Sequence, residues 1–173
     1  MASRPDGVVP IEQTRTTMTQ LLLPGQSNNH GNAFGGQIMA WCDICAAVSA
    51  QRFCRGEVVT ASMDQLVFRR PVRRGMVVIL SAQVNRSWGT SMEVGVRVER
   101  EPPTCDEREH AATAYLTFVS VDEQGKPETV TQVDPETAEE IRRYQDAQTR
   151  RSFRLERRKA LQANRASIST EED

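Results

Sequence analysis

Four stretches in the middle of the chain have the residue pattern of strands that bury one face. The most regular one runs from 92 to 99, where methionine or valine at even positions alternates with Glu, Gly or Arg at odd positions. Runs at 58–68, 76–84 and 111–121 have similar character, and residues 14–23 predict an earlier strand. Because these strands follow one another without intervening helices, they predict an antiparallel sheet.

Two helices complete the prediction. A loop rich in turn-forming residues at 24–32 precedes a helix over 35–53. Asp134 and Pro135 are a typical helix start and predict a helix to about residue 161. The resulting fold class is α+β. We expect a disordered N-terminus at 1–11, one domain at 12–162 and a disordered tail at 163–173.

The first helix is apolar on nearly all sides, which predicts that it is buried. One stripe along it differs, because small residues there surround a single carboxylate, Asp43: the stripe is Gly36, Ala40, Asp43, Ala47 and Ala50. A carboxylate partly removed from water is a better base near neutral pH. Asp43 is therefore a candidate catalytic base; the alternative is that it bonds to a neighbouring backbone group and only stabilises the core.

The segment before this helix, HGNAFGG at 30–36, ends in two glycines. Glycines leave the first N–H groups of a helix open, and such groups attract negative charge. They are suited to hold the oxyanion of a tetrahedral intermediate in acyl transfer. The alternative is a glycine turn that is needed only for its geometry.

Composition excludes several function classes. The net charge is −1, so no overall field recruits nucleic acid. No apolar stretch reaches the ~18 residues of a membrane span, and residues 1–15 lack the apolar region of a secretory signal. Two histidines without an acidic cluster predict no metal site. Cys42 and Cys45 have redox-motif spacing, but an apolar helix indicates buried core thiols. We expect a cytoplasmic protein.

Several motifs together resemble one family. HGNAFGGQIMAWCD at 30–43 is similar to the catalytic segment of hotdog-fold acyl-CoA thioesterases. The resemblance continues through VVTASMDQLVFRRPVRRGMVV at 58–78, VNRSWGTSMEVGVRVE at 84–99 and RRYQDAQTRRSFRLERRK at 142–159. The nearest likeness is to the cytosolic acyl-CoA hydrolases with two tandem hotdog domains. The resemblance implies a long central helix wrapped by an antiparallel sheet.

The family resemblance also implies roles for individual residues. The asparagine of its HGN segment corresponds to Asn32, its helical aspartate to Asp43, and the helix-start donor lies near Gly36. Asn32 would orient water or the carbonyl, and Asp43 would act as general base or nucleophile. Contacts with coenzyme A would come from two strand segments and the last helix: Ala61, Ser62, Met63, Thr90, Ser91, Met92, Arg151 and Ser152. Relatives commonly have a basic residue at the position of Ser152.

The resemblance implies hydrolysis of acyl-CoA to a free fatty acid and coenzyme A. No cofactor is expected, since coenzyme A is part of the substrate and product. Family sites form between two hotdogs, so this chain is expected to form a homo-oligomer, a dimer or a trimer of dimers. The alternatives are a non-catalytic acyl-CoA sensor or carrier, and a structural hotdog in a larger assembly. Acyl chain length, nucleotide regulation and the choice between base and anhydride mechanisms stay open.

Overall fold

The computed structural model describes residues 7–104 and 107–169. Its elements follow the predicted order, with two helices and seven strands in the described parts of the chain. They are β1 (Val9–Pro10), β2 (Thr16–Leu21), α1 (Gly35–Cys54), β3 (Glu57–Phe68), β4 (Val77–Trp88), β5 (Ser91–Glu101), β6 (Glu109–Val121), β7 (Val133–Asp134) and α2 (Ala138–Ser169). Short 3₁₀ turns follow β1 at Ile11–Thr14 and precede α1 at Pro24–Gln26.

Five strands form one antiparallel sheet in the order β2-β4-β5-β6-β3. This confirms the predicted α+β hotdog fold, with the long helix α1 on the inner face of the sheet. Met92, Val94, Val96 and Val98 are all buried in the core below α1, as the alternation predicts. The turn between β4 and β5 contains Gly89 at φ 47°, a left-handed conformation that glycine adopts without strain.

Ordered structure begins before residue 11, where the sequence predicted the disordered N-terminus to end. Val9 and Pro10 pair in parallel with Val133 and Asp134, and the side chain of Ile11 is buried. The correction has a simple cause: pairing and burial of a short apolar segment stabilise it, and two-residue strands leave no periodic signal in a sequence. Residues 1–6 lie outside the described part.

Helix α2 starts later and ends later than predicted. Asp134 belongs to β7, and the helix is instead capped by Thr137, whose Oγ1 accepts from the Glu140 N–H at 3.2 Å. The Thr137 N–H in turn donates to Oε2 of Glu140 at 3.0 Å, which completes a capping box. The helix continues to Ser169, so the predicted tail at 163–173 is helical as far as that residue; 170–173 lie outside the described part.

The apolar sequence of α1 predicted a helix buried on nearly all sides, but the structure buries only part of its surface. Its inner face packs Ile38, Trp41 and Cys45 into the core, but Met39 and Ile44 on other sides are 43% and 55% exposed. Further apolar side chains are exposed on the edge strand β3, at Val59, Val67 and Phe68. An apolar surface of this kind on a single chain indicates contact with another protein surface.

Helix α2 crosses the outer face of the sheet, opposite α1. The alternation in β5 places Glu93 on this face, and Arg150 of α2 covers it with two hydrogen bonds of 2.7 and 3.0 Å. Glu93 is only 1% exposed and also accepts from Asn85 Nδ2 at 3.0 Å. Asn85 packs so closely on β5 that a Cβ added at Gly95 would lie 2.6 Å from its amide nitrogen. This polar cluster attaches α2 to the sheet.

Candidate active site

Asp43 lies in the middle of α1, half-buried and turned towards the edge strand β3. Its Oδ1 accepts a hydrogen bond from the hydroxyl of Thr60 at 2.8 Å. Thr60 pairs with Phe118 across β6, and since Phe118 is buried in the core, Thr60 also faces the inner side. A hydroxyl donor of this kind fixes the orientation of a carboxylate and leaves its second oxygen for another partner.

The start of α1 presents open N–H groups, as the glycine pair predicts. Phe34 occupies the N-cap position and makes no side-chain cap hydrogen bond. The first N–H groups with partners in the described structure are those of Gln37 and Ile38, which both bond to the Phe34 carbonyl. The N–H groups of Gly35 and Gly36 are therefore available to a carbonyl oxygen or an anion.

The loop before α1 is held by an asparagine. Oδ1 of Asn28 accepts from the N–H groups of His30 and Asn32 at 3.0 and 3.2 Å, and the Asn28 N–H donates to the Asn32 carbonyl at 2.7 Å. The backbone of Asn32 also pairs with that of Arg73 in an isolated antiparallel β-bridge. The side chain of His30 is exposed.

These two groups of residues are separated within one chain. Gly36 and Asp43 are seven residues apart in α1, which corresponds to a rise of about 10 Å. One thioester carbonyl therefore cannot contact the helix start and Asp43 of the same chain together. The structure therefore has two separate groups: Asn32 lies beside Gly35 at the helix start, and Asp43 bonds to Thr60 farther along α1.

A cavity of about 390 Å³ opens beside the helix start. Asn32 and Gly35 lie at one side of it, and Arg69 and Arg70 also line it. Its other walls are apolar: Ala33, Ile38, Phe68, Pro71, Val72, Val98, Ala111 and Ala112. Such a concave apolar space next to a few polar groups is typical of a small-molecule site.

Some of the residues predicted to contact coenzyme A come together on the outer face. Arg151 of α2 donates to Oγ of Ser91 at 3.3 Å. One helical turn later Arg154 pairs with Asp64, and Asp64 accepts from Ser62 at 2.7 Å. The segments around Ser62 and Ser91 therefore meet under the same helix, although they are distant in sequence.

Other predicted contacts are placed differently. Met92 is fully buried and packs in the core, so its side chain cannot line a surface site. Met63 is half-buried against the core, and Thr90 uses its carbonyl to accept from the Ser120 N–H. Ser152 is exposed and points about 100° around the helix from Arg151. Ala61 is exposed at an irregular point of β3, where the pairing with β6 shifts register.

Arginines and aromatic rings stack where α2 lies on β4. Arg86 lies 4.0 Å from the ring of Tyr144, and Arg151 lies 4.6 Å from that of Trp88. Burial, together with the positive charges of Arg154 and Arg86, lowers the pKa of Arg151 below its ordinary value. Neither Arg86 nor Arg151 forms an ion pair within the described residues. The cluster is thus suited to an external anion.

The cysteines have the expected structural role. Cys42 and Cys45 are free and buried, and Sγ of Cys45 bonds to the carbonyls of Thr16 and Leu80. Burial raises the pKa of Cys42 to about 12 and that of Cys45 to about 11. Thiols with such pKa values are poor nucleophiles. Cys105 lies outside the described residues.

Within the described ranges, no group of three or more His, Cys, Asp or Glu residues could hold a metal ion. In the same part of the chain, none of the helices is both long and apolar enough to cross a bilayer.

Sequence reasoning missed Thr60, Asp64 and Arg86. Thr60 had a usable signal, because it is a polar residue on the inward side of a strand that faces a helix with one carboxylate. Asp64 and Arg86 had none, since their importance comes from where α2 lies.

Comparison with known proteins supports one family. Residues 30–106 match the Thioesterase superfamily. The chain is 40% identical over 160 residues to an uncharacterized acyl-CoA thioester hydrolase of Bacillus subtilis, covering 92% of this chain and 93% of that one. It is 36% identical over 163 residues to acyl-coenzyme A thioesterase 11 of Mus musculus, covering 94% of this chain. It spans only 27% of the length of that mouse protein.

Solved structures that resemble this chain belong to the same family. A hexameric acyl-CoA thioesterase aligns with a TM-score of 0.85 at 39% identity, covering 88% of this chain and 97% of that one. An acyl-CoA hydrolase of Staphylococcus aureus, in complex with butyryl coenzyme A, coenzyme A and coenzyme A disulfide, aligns with a TM-score of 0.86 at 31% identity, covering 94% and 99%. It has also been solved with an asparagine, an aspartate or a threonine replaced by alanine. With this fold and these relatives, the chain belongs to the hotdog-fold acyl-CoA thioesterase family.

Proposed function

We propose that this chain hydrolyses acyl-CoA, with Asp43 as general base or nucleophile. The observation that carries the proposal is the Thr60–Asp43 hydrogen bond beside a stripe of small residues on α1. As a base, Asp43 takes a proton from water, and the resulting hydroxide attacks the thioester carbonyl. The C–S bond then breaks, and coenzyme A leaves as a thiolate that is protonated. As a nucleophile, Asp43 attacks the thioester carbonyl and displaces coenzyme A as the thiolate. Water then cleaves the resulting anhydride and supplies the proton that the thiolate takes up.

The proposed site needs two chains. Gly36 and Asp43 of one chain are about 10 Å apart along the helix, so the oxyanion donors come from one chain and the carboxylate from the other. The exposed apolar side chains on α1 and at the β3 edge are available for the contact between them. A hexameric structure among the relatives supports assembly as a dimer or a trimer of dimers.

Two asparagines of one loop are candidates for the residue that orients water or the carbonyl. Asn32 was identified from the family segment, and it lines the cavity. Asn28 is favoured by spacing: in the S. aureus variants, the replaced asparagine precedes the aspartate by 15 residues and the threonine follows it by 17. Asn28, Asp43 and Thr60 have these same two spacings. We expect Asn28→Ala to lose more activity than Asn32→Ala.

The acyl chain and coenzyme A occupy different sides of the sheet in this proposal. The apolar cavity beside Gly35 takes the acyl chain. The phosphates bind at Arg151 and Ser91 on the outer face, and the pantetheine arm passes the edge strand at the small residue Ala61. Names of mouse relatives include a cytosolic hydrolase, which fits the expected cytoplasmic location.

The test combines an assay with complementation. Thioester hydrolysis is measured over a series of acyl chain lengths for the wild type and for Asn28→Ala, Asn32→Ala and Asp43→Ala. Each nearly inactive asparagine variant is then unfolded and refolded together with Asp43→Ala. Random mixing gives about half mixed dimers, each with one intact and one doubly altered site, so roughly a quarter of wild-type activity should return.

The outcomes separate the alternatives. Recovery of activity supports shared sites, whereas mixed dimers shown by mass to be present but inactive would place both residues in one chain's site. A wild-type chain that binds acyl-CoA without turnover at any chain length would instead favour the sensor or carrier.

A further inference from the structure

Helix α2 crosses the outer face of the sheet strand by strand. Near its start, Glu140 pairs with Arg15 beside β2 at 2.8 Å. Its next contacts are with Arg86 and Trp88 of β4, then with Glu93 and Ser91 of β5, and Arg150 also lies 3.7 Å from the ring of Tyr115 on β6. Arg154 finally reaches Thr117 of β6 and Asp64 of β3. The order of these contacts is the order of the strands, β2-β4-β5-β6-β3.

The dimensions agree with a nearly perpendicular crossing. From Glu140 to Arg154 the helix rises about 21 Å at 1.5 Å per residue. Four strand spacings of about 4.8 Å amount to about 19 Å. The sheet of this chain therefore ends below Arg154. The helix continues to Ser169, a further rise of about 22 Å beyond the β3 edge.

The part of α2 beyond Arg154, called the arm below (155–169), extends past the β3 edge of the sheet of its own chain. All side chains at 155–165 are exposed, including Leu155 and Leu161 at 41% and 48%. Isolated helices of this length are marginal in water, so a supporting surface would stabilise the arm.

The face of α2 that packs on the sheet continues along the arm. Ala147, Arg154 and Leu161 are spaced by seven residues and lie on one side of the helix. Ala147 is fully buried and Arg154 contacts β6 and β3, so the same side presents Leu161 beyond the edge. A surface that continued the sheet past β3 would therefore meet Leu161.

We propose that the arm lies across the outer face of a second copy of this chain, whose sheet continues this one at the β3 edge. The contact with a second copy rests on the two-chain site of the proposed function. The outer side of the partner's β3 offers the same exposed pair as in this chain, Val59 with the acidic Glu57 two residues before it. An apolar group beside an acid complements an arm with Leu161 among Arg157, Arg158 and Lys159. This contact of the arm stabilises the association of the two subunits.

A photo-crosslinker tests the contact directly. Benzoylphenylalanine replaces Leu161 in the full-length chain, and unlabelled and ¹⁵N-labelled chains are mixed, refolded and irradiated. We expect crosslinks between an unlabelled and a labelled chain, mapped by mass spectrometry to residues 57–67. Crosslinks only within one chain, or to another surface of the partner, would overturn the proposal.

A matched pair of substitutions gives the strength of the contact. Leu161→Asp should raise the dissociation constant of the oligomer roughly tenfold or more, since burial of a leucine contributes ~1.5–3 kcal/mol. Leu155→Asp is the control, because it alters the same residue type about 120° away on the same helix. Equal dissociation constants for the two variants would count against the arm. Neither readout requires turnover, so loss of the proposed thioesterase activity would leave this result unaffected.

Discussion

The two helices lie on opposite faces of one sheet and differ in almost every property. Helix α1 packs apolar side chains into the core and carries one acidic residue, Asp43. Helix α2 is strongly charged, and it is attached to the sheet through arginines that bond to Glu93, Ser91 and Asp64. A lone carboxylate with a hydroxyl donor is suited to catalysis, whereas several arginines are suited to hold phosphates and to fix a surface.

Substitutions in the two helices should therefore affect different properties of the protein. Changes at the Asp43–Thr60 pair should lower turnover while the fold persists. Changes on α2 should alter stability, substrate binding or assembly, with a smaller effect on the chemical step. The comparison fails if a variant of one helix has the consequence assigned to the other.

The largest expected effect is on the rate. Asp43→Ala should lower kcat at least ~100-fold, because it removes the group that activates water or attacks the thioester. Asp43→Asn is the matched variant, since it keeps the shape and the Thr60 contact but cannot act as a base. Circular dichroism and thermal unfolding should show both proteins folded. Wild-type turnover in either variant would remove Asp43 from the mechanism.

On α2 the largest effect should be on stability. Arg150→Met leaves the Glu93 carboxylate buried without its partner, and breaking such a pair typically costs ~3–5 kcal/mol. Urea unfolding measures the loss. Arg74→Met, at an exposed arginine in the loop before β4, is the control and should unfold like the wild type. If Arg150→Met is equally stable, the Glu93 pair does not attach α2.

The sequence predicted the elements well where periodicity was long. The alternation at 92–99 correctly placed one set of side chains in the core, and the glycine pair at 35–36 marked the start of α1. It could not predict that Glu93, on the polar side of that alternation, is buried, because the cover comes from Arg150, 57 residues later. Contacts between distant elements leave no local pattern.

The same limit applies to the candidate site. Asp43 could be selected because it stands alone among small residues. Thr60 could be placed on the inward side of a strand, but its contact with Asp43 depends on how α1 packs on the sheet. The exposed side of α1 was missed for another reason. An apolar sequence indicates burial, but it does not distinguish burial in the core from burial against a second chain.

Substitution of Thr60, whose hydroxyl donates a hydrogen bond to Asp43, should have a smaller effect on kcat. Thr60→Val removes the hydroxyl with little change of shape, and a hydrogen bond to a charged group contributes ~1.5–3 kcal/mol, so kcat should fall roughly tenfold or more. Thr60→Ser keeps the hydroxyl and should retain most activity. Equal kcat in the two variants would show that the hydroxyl does not position Asp43.

Substrate binding should respond at α2. Removing everything after Asp146 should raise KM for acyl-CoA more than it lowers kcat, but it would also leave Glu93 unpaired. Arg151→Gln is the cleaner test, because Arg151 forms no ion pair within the described residues. We expect KM to rise several-fold with kcat nearly unchanged, since phosphate binding is similar in the ground and transition states. An unchanged KM in the folded variant would place the phosphates elsewhere.

The smallest effect concerns the buried thiols of α1 and appears only at high pH. Burial raises the pKa of Cys42 from 9.0 to about 12 and that of Cys45 from 9.0 to about 11. Between pH 9 and about 11, the unfolded chain loses these protons while the folded chain keeps them. The folded state then binds more protons, so stability falls as pH rises, by at most ~1.4 kcal/mol per pH unit for each thiol. Below about pH 8 the thiols stay protonated in both states and add almost no pH dependence. Urea unfolding at pH 7.5, 9 and 10 should show a smaller decline above pH 9 for Cys42→Ala than for the wild type, even if the variant is less stable throughout. Parallel declines would show that Cys42 ionises alike in both states, and that the inner face of α1 is wetter than its packing indicates.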